Sequence, residues 1–195
     1  LYRDVKHDCD SAGRFRVSSA LEAALQKCEE AERFTAHPFI KYQRARILKL
    51  IDDSNVLEDR HTSDISKAFS DAIYSIKTIE QYAGIAQTKS YAALLWIYGL
   101  HLFQTNDFSN SIRYLEESKI AFEEQHVEDQ EYYQCCTQLG DVYLDYYLQD
   151  RASRLSYLRK ARSIERLLSQ NWHSLGKARG RAGKLKERLR QYGNY

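Results

Sequence analysis

Apolar residues return every three or four positions along almost the whole chain, and a single proline, Pro38, interrupts them. That spacing is the period of an α-helix with one buried face, and a chain so poor in proline can sustain long helices. From Phe15 to Phe34 the residues Val17, Ala20, Leu21, Ala24, Leu25, Cys28 and Ala31 form one stripe, with Ser18 and Ser19 available to cap part of it. Pro38 disfavours a helical residue before it and suits a first helical turn. One helix therefore ends near Thr35-Ala36, and the next runs from Pro38 to about Ile51. Residues 52–63 are polar apart from Val56-Leu57 and read as a long loop. Ser63 or Asp64 is placed to cap a third helix, which carries Ile65, Ala68, Phe69, Ala72, Ile73 and Ile76 and stops near Gly84. Five more helices are expected at about 87–104, 108–125, 129–148, 152–169 and 172–192, with a tight turn at Asn106-Asp107. No stretch reads as a strand. Eight helices with mostly short connections make sequence neighbours antiparallel.

A chain of 195 residues can bury a sizeable core as one domain. No apolar run reaches the length of a membrane span, so no membrane partner is expected. The chain starts Leu1-Tyr2 and contains no methionine, which predicts a piece excised or processed from a longer protein. Its net charge of +2 hides an asymmetry. Residues 1–150 carry 16 Lys and Arg against 25 Asp and Glu, a net of −9; residues 151–195 carry 13 against 2, a net of +11. The four cysteines, Cys9, Cys28, Cys135 and Cys136, lack paired ligand spacing. Reduced thiols in a reducing, cytoplasmic compartment are expected.

The second half repeats. Leu95-x-x-Tyr98-Gly99-x-x-Leu102 precedes Phe108-x-x-Ser111-x-x-x-Leu115-x-x-Ser118. Leu139-Gly140-x-x-Tyr143 precedes Leu155-x-Tyr157-Leu158-x-x-Ala161-x-x-Ile164, with Arg154 where a small residue is usual. A third start appears at Leu175-Gly176, so the glycines are spaced by 41 and then 36 residues. This arrangement resembles the tetratricopeptide repeat (TPR), whose period is about 34 residues. The resemblance covers about 87–180 through these motifs and 15–84 through helix pattern alone, where Ala45 stands in for the first glycine. It implies an all-α fold: a right-handed superhelix of about four antiparallel hairpins filling 1–195, with divergent hairpins over 15–84 and clearer ones over 87–192. In such a repeat the glycine marks a close approach of two helices.

Chemistry finds little support in the residues. His7, His37, His61, His101, His126 and His173 are scattered without metalloprotease spacing, and His101 on its apolar helix reads as a structural histidine. No G-x-S-x-G elbow occurs, and Gly176 to Lys184 lacks the spacing and the following Ser or Thr of a phosphate loop. Neither an enzymatic activity nor a cofactor or metal is expected. Glu116-Glu117 and Glu123-Glu124 read as a solvated face.

The resemblance implies a concave groove lined by the first helix of each hairpin, which binds another protein or peptide. Carried over by register, its lining is Ala93, Trp96, Leu100, Phe103 and Gln104; then Gln134, Thr137, Gln138, Asp141, Leu144 and Asp145; then His173, Lys177 and Arg181. This surface would be apolar at Trp96 and Phe103, acidic at Asp141 and Asp145, and basic at Lys177 and Arg181. For Trp96, core packing is the competing reading. The family's carboxylate clamp is not reproduced, because Trp96 and Leu100 stand where its Lys and Asn would be. Long-repeat relatives of this kind are similar to the sensor parts of signal-responsive switch proteins (STAND-type) and transcription regulators, so a regulatory domain is the alternative function. A second surface is the basic end: Arg179, Lys184, Lys186, Arg188 and Arg190, with Lys177 and Arg181 beside them. It reads either as a solvated terminal cap or as a contact for nucleic acid.

Overall fold

A computed structural model describes residues 11–35, 37–53, 62–152 and 154–192, and among these the chain is all-α. Eight α-helices follow one another: α1 (Ser11–Glu32), α2 (Pro38–Asp53), α3 (Thr62–Thr78), α4 (Lys89–Gln104), α5 (Phe108–Glu124), α6 (Gln130–Gln149), α7 (Leu155–Gln170) and α8 (Arg179–Arg190). No described helix is long and apolar enough to cross a membrane. The chain divides into two compact units, one ending at Ala83 and the other beginning at Gly84. That division falls between the stretches the sequence separates as divergent and clear.

In the first unit, α2 packs against both α1 and α3. Pro38 opens α2, where its missing N–H costs nothing. Tyr42, Ala45, Leu48 and Ile51 form its buried stripe, and Ala45 is fully enclosed. From α3 come Ile65, Ala68, Phe69, Ala72, Ile73 and Ile76. Lys41 on α2 donates to the Ser75 hydroxyl on α3 at 3.0 Å, and Arg44 reaches Glu32 of α1 at 3.7 Å. Ser18 and Ser19 lie inside α1, which begins at Ser11. The expected loop is shorter than 52–63: α2 keeps Asp52 and Asp53, α3 already includes Thr62 and Ser63, and 54–61 lie outside the described residues. Asp64 then sits in the first turn of α3, where the helix dipole favours an acid. The third helix does not reach Gly84 as an α-helix. It ends at Thr78, and Glu80–Gln87 continue as a 3-10 segment with no buried residue, so no apolar stripe holds the α-helical period.

In the second unit the helices pair as hairpins. Thr88 caps α4 by accepting from the Tyr91 amide. Asn106 has φ 64°, and Asp107 caps α5 by accepting from the Asn110 amide, which completes the expected turn. Asp129 caps α6 by accepting from the amides of Glu131 and Tyr132. Against α4, the Ser111 and Ser118 hydroxyls of α5 donate to the carbonyls of Gly99 and Ala92, each at 2.7 Å. Small residues here let two backbones approach. A Cβ on Gly99 would lie 2.7 Å from Leu115 Cγ, and one on Gly140 would lie 3.1 Å from Ile164 Cγ2 on α7 and 2.5 Å from Leu185 Cδ2 on α8. Gly99 and Gly140 are therefore close-approach glycines.

Gly176 is not. Its φ is +51°, a left-handed conformation that ends any continuous helix. The expected helix 172–192 accordingly becomes a turn after Asn171, a 3-10 segment at Gly176–Ala178, and α8 from Arg179. The hairpins are tied to each other at matching depths. Lys89 at the start of α4 meets Asp129 and Glu131 at the start of α6, and Trp96 meets Gln138 farther along. Gln130 lies beside Gly176 ahead of α8, Gly140 beside Leu185, and Tyr147 beside Tyr192. So α4, α6 and α8 run parallel in a row. Behind them Lys160 of α7 reaches Glu116 of α5 at 2.7 Å.

Candidate functional site

The row of α4, α6 and α8 carries the surface that the sequence singles out. Ala93, Trp96, Leu100 and Phe103 are half-buried on α4, and Gln104 is exposed at its end. The apolar spacing that drives α4 into the core on one side leaves these residues at its edge. Trp96 is half-buried, and its indole N–H donates to Gln138 Oε1 of α6. Gln134 and Gln138 are half-buried beside it. Thr137 and Leu144 are fully buried and belong to the core, not to the surface. Phe103 meets Phe108 edge-on at 5.5 Å, which turns it toward the α4–α5 corner.

Asp141 and Asp145 lie one turn apart on α6, and the structure joins them to the basic end. Arg188 of α8 donates to Asp141 Oδ1 at 3.0 Å and also to Asp145 Oδ1. Burial pushes the Asp141 carboxyl above its usual range, against the pull of Arg188 and of Arg181 nearby. Burial acts on Arg188 to lower its pKa, but the bonds and charges of Asp145 and Asp141 together outweigh this and raise it. The expected acidic zone is thus compensated from within. One arginine of the basic patch is a structural bridge between hairpins. Lys186 likewise faces Glu165 of α7 at 3.7 Å. Arg179 donates to the Trp172 carbonyl at 3.4 Å and lies over its ring. Lys184 and Arg190 are exposed. Of the last set of groove positions, His173 is exposed in the turn before α8, Lys177 is exposed in the 3-10 segment, and Arg181 is exposed in the first turn of α8.

A second polar joint closes the other end of the α4–α6 seam. Lys89 contacts Asp129, and its ammonium lies 3.0 Å from Glu131. Its hydrogen bond to Asp129 raises its pKa above the ordinary value. For Asp129, burial pushes upward, but the bonds from Lys89 and the two capping amides prevail and lower it. Beside this joint, Gln87, Thr88, Lys89, Glu124, Gln125 and Val127 line an open depression of about 600 Å³, which none of the expected groove residues enters.

Several contacts between hairpins were not visible as site residues. Glu116, read as solvated, accepts from the Tyr143 hydroxyl at 2.5 Å as well as from Lys160. Glu123 accepts from Tyr132 at 2.9 Å. Arg154 lies 3.8 Å from the centre of the Tyr146 ring, which accounts for a large residue at a small-residue position. Opposite charges about a repeat apart are the signal that could have exposed the Glu116–Lys160 pair; the tyrosine contacts leave no such signal. Cys135 and Cys136 are both buried, and burial pushes the Cys136 thiol up to about 12, far from a reactive thiolate. His101 is buried on α4. Among the described residues no group of three or more His, Cys, Asp or Glu is placed to hold a metal. Comparison with protein-family models gives no match, and comparison with curated proteins gives none either.

Proposed function

We propose that this chain is a non-catalytic scaffold, a TPR-like stack of helical hairpins that binds another protein or peptide along the α4–α6 face. The observation that carries this reading is the Trp96–Gln138 pair at the centre of the seam between two parallel first helices. Around it lie Leu100 and Gln134, neither fully buried nor fully exposed. Such an edge offers an apolar wall at Trp96 and Leu100 for one side chain. The Gln134 and Gln138 amides offer donors and acceptors for a peptide backbone. A half-buried indole at an interface centre is the residue type that most often dominates binding energy. Because Arg188 compensates Asp141 and Asp145, the ligand chemistry this face suits is apolar and amide-rich, not strongly cationic. A reducing compartment such as the cytoplasm fits the free thiols of Cys28, Cys135 and Cys136.

The test is capture of a binding partner by the immobilised chain and by Trp96→Ala and Gln134→Arg. Both variants are expected to keep the helical circular dichroism and to lose capture at least about tenfold, the scale of one interface anchor. Undiminished capture by both contradicts the assignment of this face.

A further inference from the structure

We propose that the end of the second unit formed by α7 and α8 binds the phosphate backbone of a nucleic acid without reading its sequence. Thirteen cations and two acids lie in residues 151–195. The structure sorts these cations by partner. Lys160, Lys186 and Arg188 face carboxylates. Arg159, Arg166, Lys177, Arg181, Lys184 and Arg190 are exposed and make no hydrogen bond or close ion pair among the described residues, although Arg181 feels Asp141 at longer range. Arg181 and Lys184 lie one turn apart on α8, Lys177 stands in the 3-10 segment just before it, and Arg159 and Arg166 lie two turns apart on α7. From Lys177 to Arg190 the chain rises about 20 Å. A nucleic-acid strand offers a phosphate about every 3.4 Å, so the six exposed cations can meet about six phosphates.

Two further observations favour a phosphate backbone over an acidic protein surface. Protein interfaces are anchored by an apolar or aromatic centre. On these two helices the only large apolar side chain exposed among the described residues is Leu155, one turn before Arg159, and a single such residue makes no apolar centre. Between the cations of α8 stand Gly180 and Gly183. A Cβ on Gly180 would meet nothing, and one on Gly183 would only touch Trp172 at 3.9 Å. Glycine weakens a helix relative to alanine, and helix packing does not require it at either position. The open surface they leave lets a ligand backbone come close between flanking guanidinium and ammonium groups.

The experiment is fluorescence anisotropy of the full chain with a labelled oligo(dT) strand and with a mixed-sequence duplex, from about 50 to about 200 mM salt. Six phosphate contacts predict a log–log salt slope of about −4 for the single strand and about −5 for the duplex, the latter about a thousandfold loss over that range. The combined variant Arg159→Glu, Arg166→Glu, Lys184→Glu, Arg190→Glu changes exposed groups only. It is expected to bind at least about a hundredfold more weakly and to flatten the slope by about three, with helix content unchanged. No binding at the lowest salt overturns the proposal, as does binding that the variant leaves intact. Tighter binding to polyglutamate of equal charge than to either nucleic acid also overturns it and assigns the patch to an acidic protein.

Discussion

Replacing Gly99 by alanine is expected to destabilise the second unit, whereas replacing Gly180 by alanine is expected to stabilise it. Gly99 lies inside α4, where alanine gains about 1 kcal/mol of helix propensity, and Gly180 lies in the first turn of α8, where the gain is smaller. At Gly180 nothing opposes that gain, because a new Cβ meets no atom within 4 Å. At Gly99 the Cβ would lie 2.7 Å from Leu115 Cγ and 3.3 Å from the Leu115 amide nitrogen. Cγ is a branch point and the nitrogen is backbone, and Leu115 is fully buried, so it cannot swing aside. Forcing α4 and α5 apart costs about 1–3 kcal/mol, as for an overpacked core. After the propensity gain, Gly99→Ala nets about 0–2 kcal/mol of destabilisation. Both tryptophans, Trp96 and Trp172, lie in this unit, so urea unfolding followed by their fluorescence reports it selectively. With a urea dependence of about 2 kcal/mol per molar, the two midpoints separate by up to roughly one molar, on opposite sides of the parent. A Gly99→Ala midpoint above the parent's would refute the close approach.

Two electrostatic predictions follow from the joints between hairpins. Asp141→Lys removes a bond to Arg188 and sets a third cation beside Arg181 and Arg188; a loss of about 1–3 kcal/mol in the same urea assay is expected, and an unchanged midpoint would remove Arg188 as a bridge. The bonds from Lys89 and the capping amides hold the folded Asp129 carboxyl below its ordinary pKa, so its contribution is present above the unfolded pKa and disappears as pH falls through the folded one. Asp129→Asn keeps an acceptor for the capping amides but cannot titrate, and is expected to flatten the fall in urea midpoint from about pH 5 to about pH 3. An identical acid profile for variant and parent would show that the Lys89–Asp129 joint contributes nothing.

The helices were legible because each buries one face, and a 3.6-residue stripe writes that face into the sequence. Pro38 and Asn106-Asp107 were legible as boundaries because their backbone chemistry is local. Gly99 and Gly140 were legible through the motif around them. Gly176 shows where that signal fails: the same Leu-Gly pair serves a left-handed turn beside Gln130, and no local pattern separates the two uses. The 3-10 segment after Thr78 was read as α-helix because its few apolar residues continue the stripe without being buried. The surface was less legible than the fold. Trp96 with Gln138, and Arg188 with Asp141 and Asp145, meet across 42 to 47 residues, a distance at which only the stacking of hairpins decides who faces whom. Register alone places Thr137 and Leu144 on the surface, but both are fully buried in the core.

The central claim is that the α4–α6 face is where a partner sits. A photo-cross-linking amino acid placed singly at Leu100, at Gln134, or at exposed Arg113 on α5 tests it most directly. Irradiated with a bound partner, the chain is expected to form adducts from positions 100 and 134 and none from 113. Adducts from 113 alone, or from all three positions equally, would contradict the account.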